Sequence, residues 1–257
     1  TGFFTDSTLC IGCKACEVAC KEWNEIGEDG LNWTGFSYDN TAAVGHSTWR
    51  HVKFVENKTV SGFGGNAPDV LAWEFSSDVC KHCEVAGCLE ACPTGSIVRT
   101  EFGGVYVQPD VCNGCAYCVT ACPFGVVQRN PEDGRAFKCT FCTDRQRAGK
   151  KPACASVCPT ESIMFGPLEE LREHAQKRKE SLHERGMTDA EVYDPQHTSV
   201  KGTHAIFLLR GKEKTYNLPP NPEVPTTYLK EGWTSAAIGS AVFAVGAALA
   251  FLVGGRR

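Results

Sequence analysis

The C-terminal end of the chain carries its longest hydrophobic run. No charged residue occurs from Gly232 to Gly255. Because about 20 helical residues span a hydrocarbon core about 30 Å thick, this run is long enough to cross a membrane. Trp233 lies at one end, and Arg256 and Arg257 lie at the other, where interfacial anchors belong. The pattern predicts one transmembrane helix at residues 232–255. Arg256 and Arg257 favour a cytoplasmic C-terminus, while Lys212, Lys214 and Lys230 on the other side offset much of that signal.

Small residues recur at every fourth position of this predicted helix. They are Ala236, Ser240, Ala244 and Ala248. Because a stripe of small residues lets another helix approach closely, we expect the segment to pack against a membrane partner.

Weaker patterns precede the membrane segment. A helix is predicted at about 167–185, because four apolar residues would lie on one face of such a helix. These are Leu168, Leu171, Ala175 and Leu182. Residues 203–210 form a strand-like run, and the prolines at 219–225 are typical of an extended linker.

Composition changes this picture mainly through cysteine. The net charge of −4 does not suggest the basic face of a nucleic-acid-binding protein. The chain contains 16 cysteines, all of them between Cys10 and Cys158. They form group I (Cys10, Cys13, Cys16, Cys20), group II (Cys80, Cys83, Cys88, Cys92), group III (Cys112, Cys115, Cys118, Cys122) and group IV (Cys139, Cys142, Cys154, Cys158).

The spacing within these groups indicates iron–sulfur clusters. Groups I and III have the C-x2-C-x2-C-x3-C spacing of bacterial ferredoxins, and a proline follows groups II, III and IV. Three cysteines of such a loop can hold three iron corners of one cubane, while the fourth points away and ligates the neighbouring cluster. Gly12 and Gly114 allow the positive φ that turns backbone N–H groups toward sulfur. The four groups therefore predict four [4Fe-4S] clusters.

Two other uses of clustered cysteines fit the spacing less well. Disulfides between neighbours three positions apart would close very short, strained loops. Zinc could use groups II and IV taken alone. In groups I and III, however, three closely spaced cysteines would crowd one tetrahedral ion.

Three polar residues next to cysteines have open roles. His82 is expected to be a surface residue near a cluster rather than a ligand, because its group already has four cysteines. Lys81 and Lys138 could raise the potentials of nearby anionic clusters, or they could be ordinary surface charges.

The exchange of fourth cysteines requires the groups to act in pairs. Groups II and III are neighbours in sequence, so groups I and IV are expected to pair across the chain. The expected ligand sets are set a (Cys10, Cys13, Cys16, Cys158), set b (Cys20, Cys139, Cys142, Cys154), set c (Cys80, Cys83, Cys88, Cys122) and set d (Cys92, Cys112, Cys115, Cys118).

The predicted fold class is α+β, with two pseudo-symmetric bacterial-ferredoxin-like halves and one C-terminal transmembrane helix. Half A consists of residues 1–20 and 139–165, and half B, residues 80–138, is nested inside it. Residues 166–231 hold the helix, the strand and the linker. Residues 21–79 are an insertion with strand-like runs at 51–55 and 70–75, expected to cover the clusters or to form a docking face. Its tryptophans, Trp23, Trp33, Trp49 and Trp73, are expected to pack rather than to relay electrons.

These motifs resemble the iron–sulfur subunits of membrane-bound respiratory formate dehydrogenases. The resemblance rests on residues 10–24, on group III through Gly125, on residues 138–145 and 202–205, and on the C-terminal helix. The cysteine frame is also similar to that of nitrate, dimethyl sulfoxide and polysulfide reductases and of some hydrogenases. Cys115 stands where the nitrate reductase type has tryptophan, and the single C-terminal span favours the formate dehydrogenase family.

The resemblance implies a non-catalytic electron-transfer subunit of a larger complex. A catalytic subunit with a molybdenum or tungsten bis-pterin would oxidise formate, and a haem b membrane subunit would reduce quinone. The cluster domain would then lie on the outer, periplasmic face of the cytoplasmic membrane. The alternative is the same role in a hydrogenase or in a polysulfide or dimethyl sulfoxide reductase. The sequence shows no P-loop or dinucleotide-binding motif that would suggest catalysis by this subunit.

Overall fold

A computed structural model of the chain describes residues 1–28, 33, 35, 41, 43–60 and 70–254. Within these residues the strands are β1 (Gly2–Asp6), β2 (Arg50–Val60), β3 (Val70–Val79), β4 (Ile97–Arg99), β5 (Val105–Val107), β6 (Gln128–Arg129), β7 (Ala136–Phe137), β8 (Ile163–Gly166), β9 (Ala190–Tyr193) and β10 (Ala205–Arg210). The helices are α1 (Ala15–Trp23), α2 (Gly87–Glu90), α3 (Tyr117–Thr120), α4 (Thr143–Arg147), α5 (Ala153–Ser156), α6 (Leu168–Glu184) and α7 (Leu229–Gly254). Short 3-10 turns lie at Pro109–Val111, Glu213–Tyr216 and Pro225–Tyr228.

A four-stranded sheet joins distant parts of the chain in the order β8-β1-β10-β9. Strand β1 is buried along its whole length, pairs antiparallel with β8 and pairs parallel with β10. Group I follows β1, and group IV ends just before β8. The β1–β8 pairing therefore brings the first and last cysteine groups together.

Helix α6 confirms the helix predicted at 167–185 and packs on this sheet. Pro167 is its N-cap rather than a residue of its first turn. Three of the four predicted apolar residues, Leu171, Ala175 and Leu182, are buried, and Leu168 is half-buried. They pack with Phe4 and with apolar residues of β9 and β10. The strand predicted at 203–210 is β10, which begins two residues later.

The insertion forms a long β-hairpin. Strands β2 and β3 pair antiparallel, with Val52 opposite Ser77 and Phe54 opposite Phe75, and they extend the two predicted strand-like runs. Val52 and Ser77 line the cavity beside group I, and the Phe75 ring lies against Gly12. The hairpin thus covers group I, which supports the covering role expected for the insertion.

The insertion's tryptophans do not share one environment. Trp49 is buried, as expected of a packing residue. Trp23 and Trp33 are 43% and 88% exposed, so the packing interpretation does not account for them. Trp73 is 39% exposed, but its ring packs edge-on against Phe75, with the ring centroids 6.4 Å apart. Trp23 contacts α4 instead, since its indole Nε1 donates to Asp144 Oδ2 at 2.8 Å.

The chain forms two compact units, Thr1–Val224 and Pro225–Arg257. The first unit contains all sixteen cysteines. In the second, α7 is long and apolar enough to cross a membrane, and none of its described residues is buried within the chain. Gly255 and the predicted anchors Arg256 and Arg257 lie outside the described residues.

Replacing Leu182 with alanine should destabilise the first unit. The side chain is 1% exposed, and such truncations of buried leucine cost about 2–5 kcal/mol. The exposed Lys177→Ala on the same helix should stay within about 0.5 kcal/mol of the parent. Anaerobic thermal unfolding followed by circular dichroism measures both variants, and equal unfolding temperatures would show that α6 does not pack as described.

Candidate iron–sulfur cluster sites

The four cysteine groups share one local structure. In groups II, III and IV the third cysteine lies in a helix of one turn, α2, α3 or α5, and the fourth cysteine follows that helix. In group I the helix α1 is longer and contains both Cys16 and Cys20. Helix α1 packs against α5, and α2 packs against α3. Group I therefore lies beside group IV, and group II lies beside group III.

A left-handed residue precedes the second cysteine of every group. Gly12 and Gly114 have φ of 69° and 73°, which confirms the sequence expectation. His82 and Phe141 occupy the same place with φ of 46° and 62°. A non-glycine residue rarely adopts this conformation, and such strain tends to persist at functional sites. At Phe141 the turn directs the backbone N–H to the sulfur of Cys139, at 3.4 Å.

Two small cavities are each lined by four cysteines drawn from two groups. The first is lined by the cysteines of set a: Cys10, Cys13, Cys16 and Cys158. The second is lined by those of set c: Cys80, Cys83, Cys88 and Cys122. Because the fourth cysteine comes from the neighbouring group in both cavities, the donor chemistry and the crossing pattern both fit a cubane cluster.

The cysteines of set b interact electrostatically with one another, and so do the cysteines of set d. Burial raises the pKa of Cys20 well above its ordinary value, and repulsion from Cys139, Cys154 and Cys142 adds to this. Burial likewise raises the pKa of Cys118 to about 11, with repulsion from its three set d partners: Cys112, Cys115 and Cys92. Buried thiols of this kind bind iron only as thiolates, so cluster binding would release their protons.

Disulfide and zinc sites fit these cysteines poorly. All sixteen thiols are free in the structure, which does not support the disulfide alternative. Within the described part of the chain, no three His, Cys, Asp or Glu side chains converge closely enough to hold one metal ion.

Lys138 is a buried cation between sets b and c. Its ammonium lies 3.3 Å from Cys80 Sγ and 3.3 Å from the carbonyl oxygen of Cys139, and it also donates to the Val105 carbonyl. Burial lowers the pKa of Lys138, but the nearby sulfurs of set c and of Cys139 outweigh that effect and raise it. The surface-charge interpretation of Lys138 is therefore wrong.

Lys81 and His82 are also buried, so the surface interpretation was wrong for both. Lys81 forms an ion pair with Asp78 and donates to the Val79 carbonyl at 2.8 Å, which offsets its charge locally. His82 Nδ1 accepts a hydrogen bond from the Val105 N–H at 3.0 Å. Burial lowers the pKa of His82 well below its ordinary value, so the ring is neutral and supports the loop between Cys80 and Cys83.

Arg50 is the residue that the sequence analysis missed. It is fully buried in β2, and its electrostatic neighbours are Cys154, Cys16 and Cys139. The available signal was weak, because a single arginine at the start of a strand does not stand out from the surface charges around it.

Comparisons with known proteins agree with this geometry. Sequence profiles of the 4Fe-4S dicluster domain match residues 9–96 and 71–168. The formate dehydrogenase-O iron-sulfur subunit of Escherichia coli (strain K12) is 41% identical over 243 residues, which cover 92% of this chain and 77% of that protein. The formate dehydrogenase iron-sulfur subunit of Haemophilus influenzae is 41% identical over 223 residues, 85% of this chain and 68% of that protein.

This chain is a member of the family of formate dehydrogenase iron-sulfur subunits. The B subunit of the anaerobic dimethyl sulfoxide reductase of E. coli is a further relative, 37% identical over 171 residues, which cover 66% of this chain and 75% of that protein. Two dicluster matches and sixteen cysteines fit four [4Fe-4S] clusters. The family role is electron transfer, and the protein is a non-catalytic subunit.

Two glycines at and near group III allow a matched pair of variants to be compared. Gly114 and Gly134 both have positive φ, but only at Gly114 would a Cβ meet another backbone atom, the Gly134 oxygen at 2.5 Å. Gly114→Ala should therefore open set d and remove about a quarter of the iron, one cluster of four. Gly134→Ala meets nothing within 4 Å and should keep its iron. Iron analysis of the anaerobic protein tests this, and equal iron loss in the two variants would contradict it.

Proposed function

We propose that this subunit carries electrons from a formate-oxidising molybdenum or tungsten bis-pterin subunit, through four clusters in the order a, b, c, d, to a haem b membrane subunit that reduces quinone. The resemblance to the family supplies the partners. The observation that carries the proposal is the electrostatic interaction between cysteines of each ligand set and the next.

Buried cysteines of successive sets lie near enough to one another to interact electrostatically. Besides burial, Cys154 of set b raises the pKa of Cys16 of set a. Cys80 of set c acts in the same way on Cys139 of set b. Cys118 of set d is among the cysteines that raise the pKa of Cys88 in set c. These interactions support a linear relay with sets a and d at its ends.

The exposed cysteines support the same order. Cys13 and Cys115 are the exposed thiols among the sixteen, and they belong to sets a and d. Electrons must enter and leave where a cluster approaches the surface, so the terminal sets suit contact with the partner subunits.

The chemistry at each site is one-electron transfer, which bound clusters supply. The chain's own residues exclude water and stabilise the added negative charge. Val105, Val126 and Val127 wall set c, and the Lys138 ammonium lies beside its Cys80 sulfur. The Ala136 N–H points to Cys112 Sγ at 3.4 Å in set d. Such N–H···S contacts, burial and nearby charges set the reduction potentials.

The ligand sets and the two nested halves belong to this proposal. The packing of α1 on α5 and of α2 on α3 supports pairing of group I with IV and of II with III. The left-handed residue repeated before the second cysteine of each group supports a duplicated ferredoxin origin. Helix α7 would anchor the chain, with the cluster unit on the outer face of the cytoplasmic membrane and the C-terminus inside.

Formate should reduce the clusters in the assembled complex. Low-temperature EPR of the complex, purified anaerobically from native membranes, is recorded before and after formate is added. We expect reduced [4Fe-4S] signals from this subunit with formate alone. If dithionite reduces four clusters but formate reduces none, the relay serves another oxidoreductase, such as the dimethyl sulfoxide reductases to which the chain is also related.

The crossing of fourth cysteines can be tested with three single serine variants. Cys92→Ser and Cys115→Ser should perturb the same redox component, because both residues belong to set d. Cys83→Ser should perturb a different component, although Cys83 and Cys92 lie in one sequence group. EPR-monitored redox titration distinguishes the components. If Cys92→Ser and Cys83→Ser change the same component, the crossed assignment is wrong.

A further inference from the structure

We propose that Arg50 raises the reduction potentials of the clusters in sets a and b by presenting a buried, permanently charged guanidinium to their sulfurs. The arginine opens β2, so the insertion supplies it. The proposal rests on the ligand sets proposed above, and the test below separates the two.

The Arg50 guanidinium is held in place from two sides. The side chain is 1% exposed. Its Nη1 donates to the Ser77 carbonyl oxygen at 3.1 Å and to Ser77 Oγ at 3.2 Å, across the β2–β3 hairpin. The centre of the guanidinium lies 4.8 Å from the Phe3 ring centroid. Ser77 Oγ lies 3.3 Å from Cys16 Sγ, so Ser77 of the hairpin links this cation to set a.

Two further donors of the same guanidinium have no oxygen or nitrogen acceptor. Among the described residues Nε and Nη2 donate to no such atom, and a side-chain interaction with Cys154 is among the effects that raise the pKa of Arg50. Buried donors without an acceptor are costly, so a protein keeps them only where something compensates them. Arginine stays charged under all ordinary conditions, which makes an anion the natural compensation.

The available anions are cysteine sulfurs. Arg50 forms no ion pair with any described carboxylate. Burial lowers the pKa of Arg50, but Cys154, Cys16 and Cys139 outweigh that effect and raise it above its ordinary value. Two of these cysteines belong to set b and one to set a. Arg50 therefore lies at the junction between two neighbouring sets, as Lys138 lies at the next junction.

A purely structural arginine would be satisfied differently. Lys81, in the same core, forms an ion pair with Asp78 and donates to a carbonyl oxygen, so protein atoms offset its charge. Arg50 Nη1 donates to neutral oxygens of Ser77, and Nε and Nη2 have no oxygen or nitrogen acceptor among the described residues. The chain thus places an uncompensated cation next to sites whose occupants become more negative on reduction.

The direction of the effect follows from charge. Reduction adds one electron to a cluster, and a fixed cation nearby stabilises the reduced state more than the oxidised state. Removing that cation should lower the reduction potentials of the clusters in sets a and b and leave those of the clusters in sets c and d unchanged. The hairpin would then set redox potentials as well as exclude water from group I.

The test compares Arg50→Gln with the intact complex by anaerobic redox titration followed by EPR. We expect two of the four redox components to shift to lower potential by about 59 mV, which corresponds to a tenfold change in the equilibrium constant of a one-electron reduction. The matched control is Arg172→Gln, which removes an arginine paired with Glu169 and Asp194 and should shift none. Four bound clusters with unshifted potentials in Arg50→Gln would overturn this inference and leave the relay proposal intact.

Iron content and a labelling experiment keep the outcomes separate. Fewer than four clusters in the intact complex would contradict the ligand sets themselves. If Arg50→Gln fails to assemble, the intact complex is prepared with arginine carrying ¹⁵N in the guanidinium and is measured by pulsed EPR. We expect ¹⁵N coupling to two reduced clusters. No such coupling would overturn the role of Arg50.

Discussion

Cys158 lines the same cavity as Cys10, Cys13 and Cys16, three cysteines from the opposite end of the cysteine-rich region. Much of the fold depends on this crossing. Strand β1 must pair with β8 to bring the two ends together, and α1 must pack on α5. A bound cluster would then act as a covalent crosslink between distant segments, so the fold and the site stabilise each other.

The second constraint is charge inside a core of thiols. Sixteen free cysteines occupy the first unit, and burial raises the pKa of most of those whose pKa is shifted. Cluster binding replaces their protons with iron, and each oxidised cubane with four thiolates carries a charge of about −2. Arg50 and Lys138 are buried cations placed beside these sulfurs, whereas Lys81 is offset by Asp78. The positive charges that balance the clusters therefore come from residues that the cysteine spacing does not identify.

The cysteine spacing was enough to predict candidate sites, because a cubane requires ligands at fixed intervals on tight loops. Gly12 and Gly114 were predictable for the same reason, since their backbone conformation excludes most side chains. His82 and Phe141 adopt that conformation without being glycine, so no composition signal marked them. Helix α6 and strand β10 followed from hydrophobic periodicity, within one or two residues at most boundaries.

The sequence did not indicate which polar residues are buried. Lys81, His82 and Lys138 are polar residue types that usually lie at a surface. Tertiary contacts bury them here: Val105 contacts His82 and Lys138, and the Lys81 ammonium lies over the rings of Phe124 and Phe207. Arg50 became significant only when the hairpin register set it beside Ser77 and the sulfurs. Pairwise patterns along a chain do not reveal such contacts, because they arise between segments that are far apart in sequence.

Anomalous diffraction at the iron absorption edge, from crystals of the anaerobic complex, tests the central claim most directly. We predict four separate groups of four iron atoms, each bounded by one of the sets a to d and arranged in the order a, b, c, d. Zinc in place of iron, or an iron group bounded by the four cysteines of a single sequence group, would contradict the account.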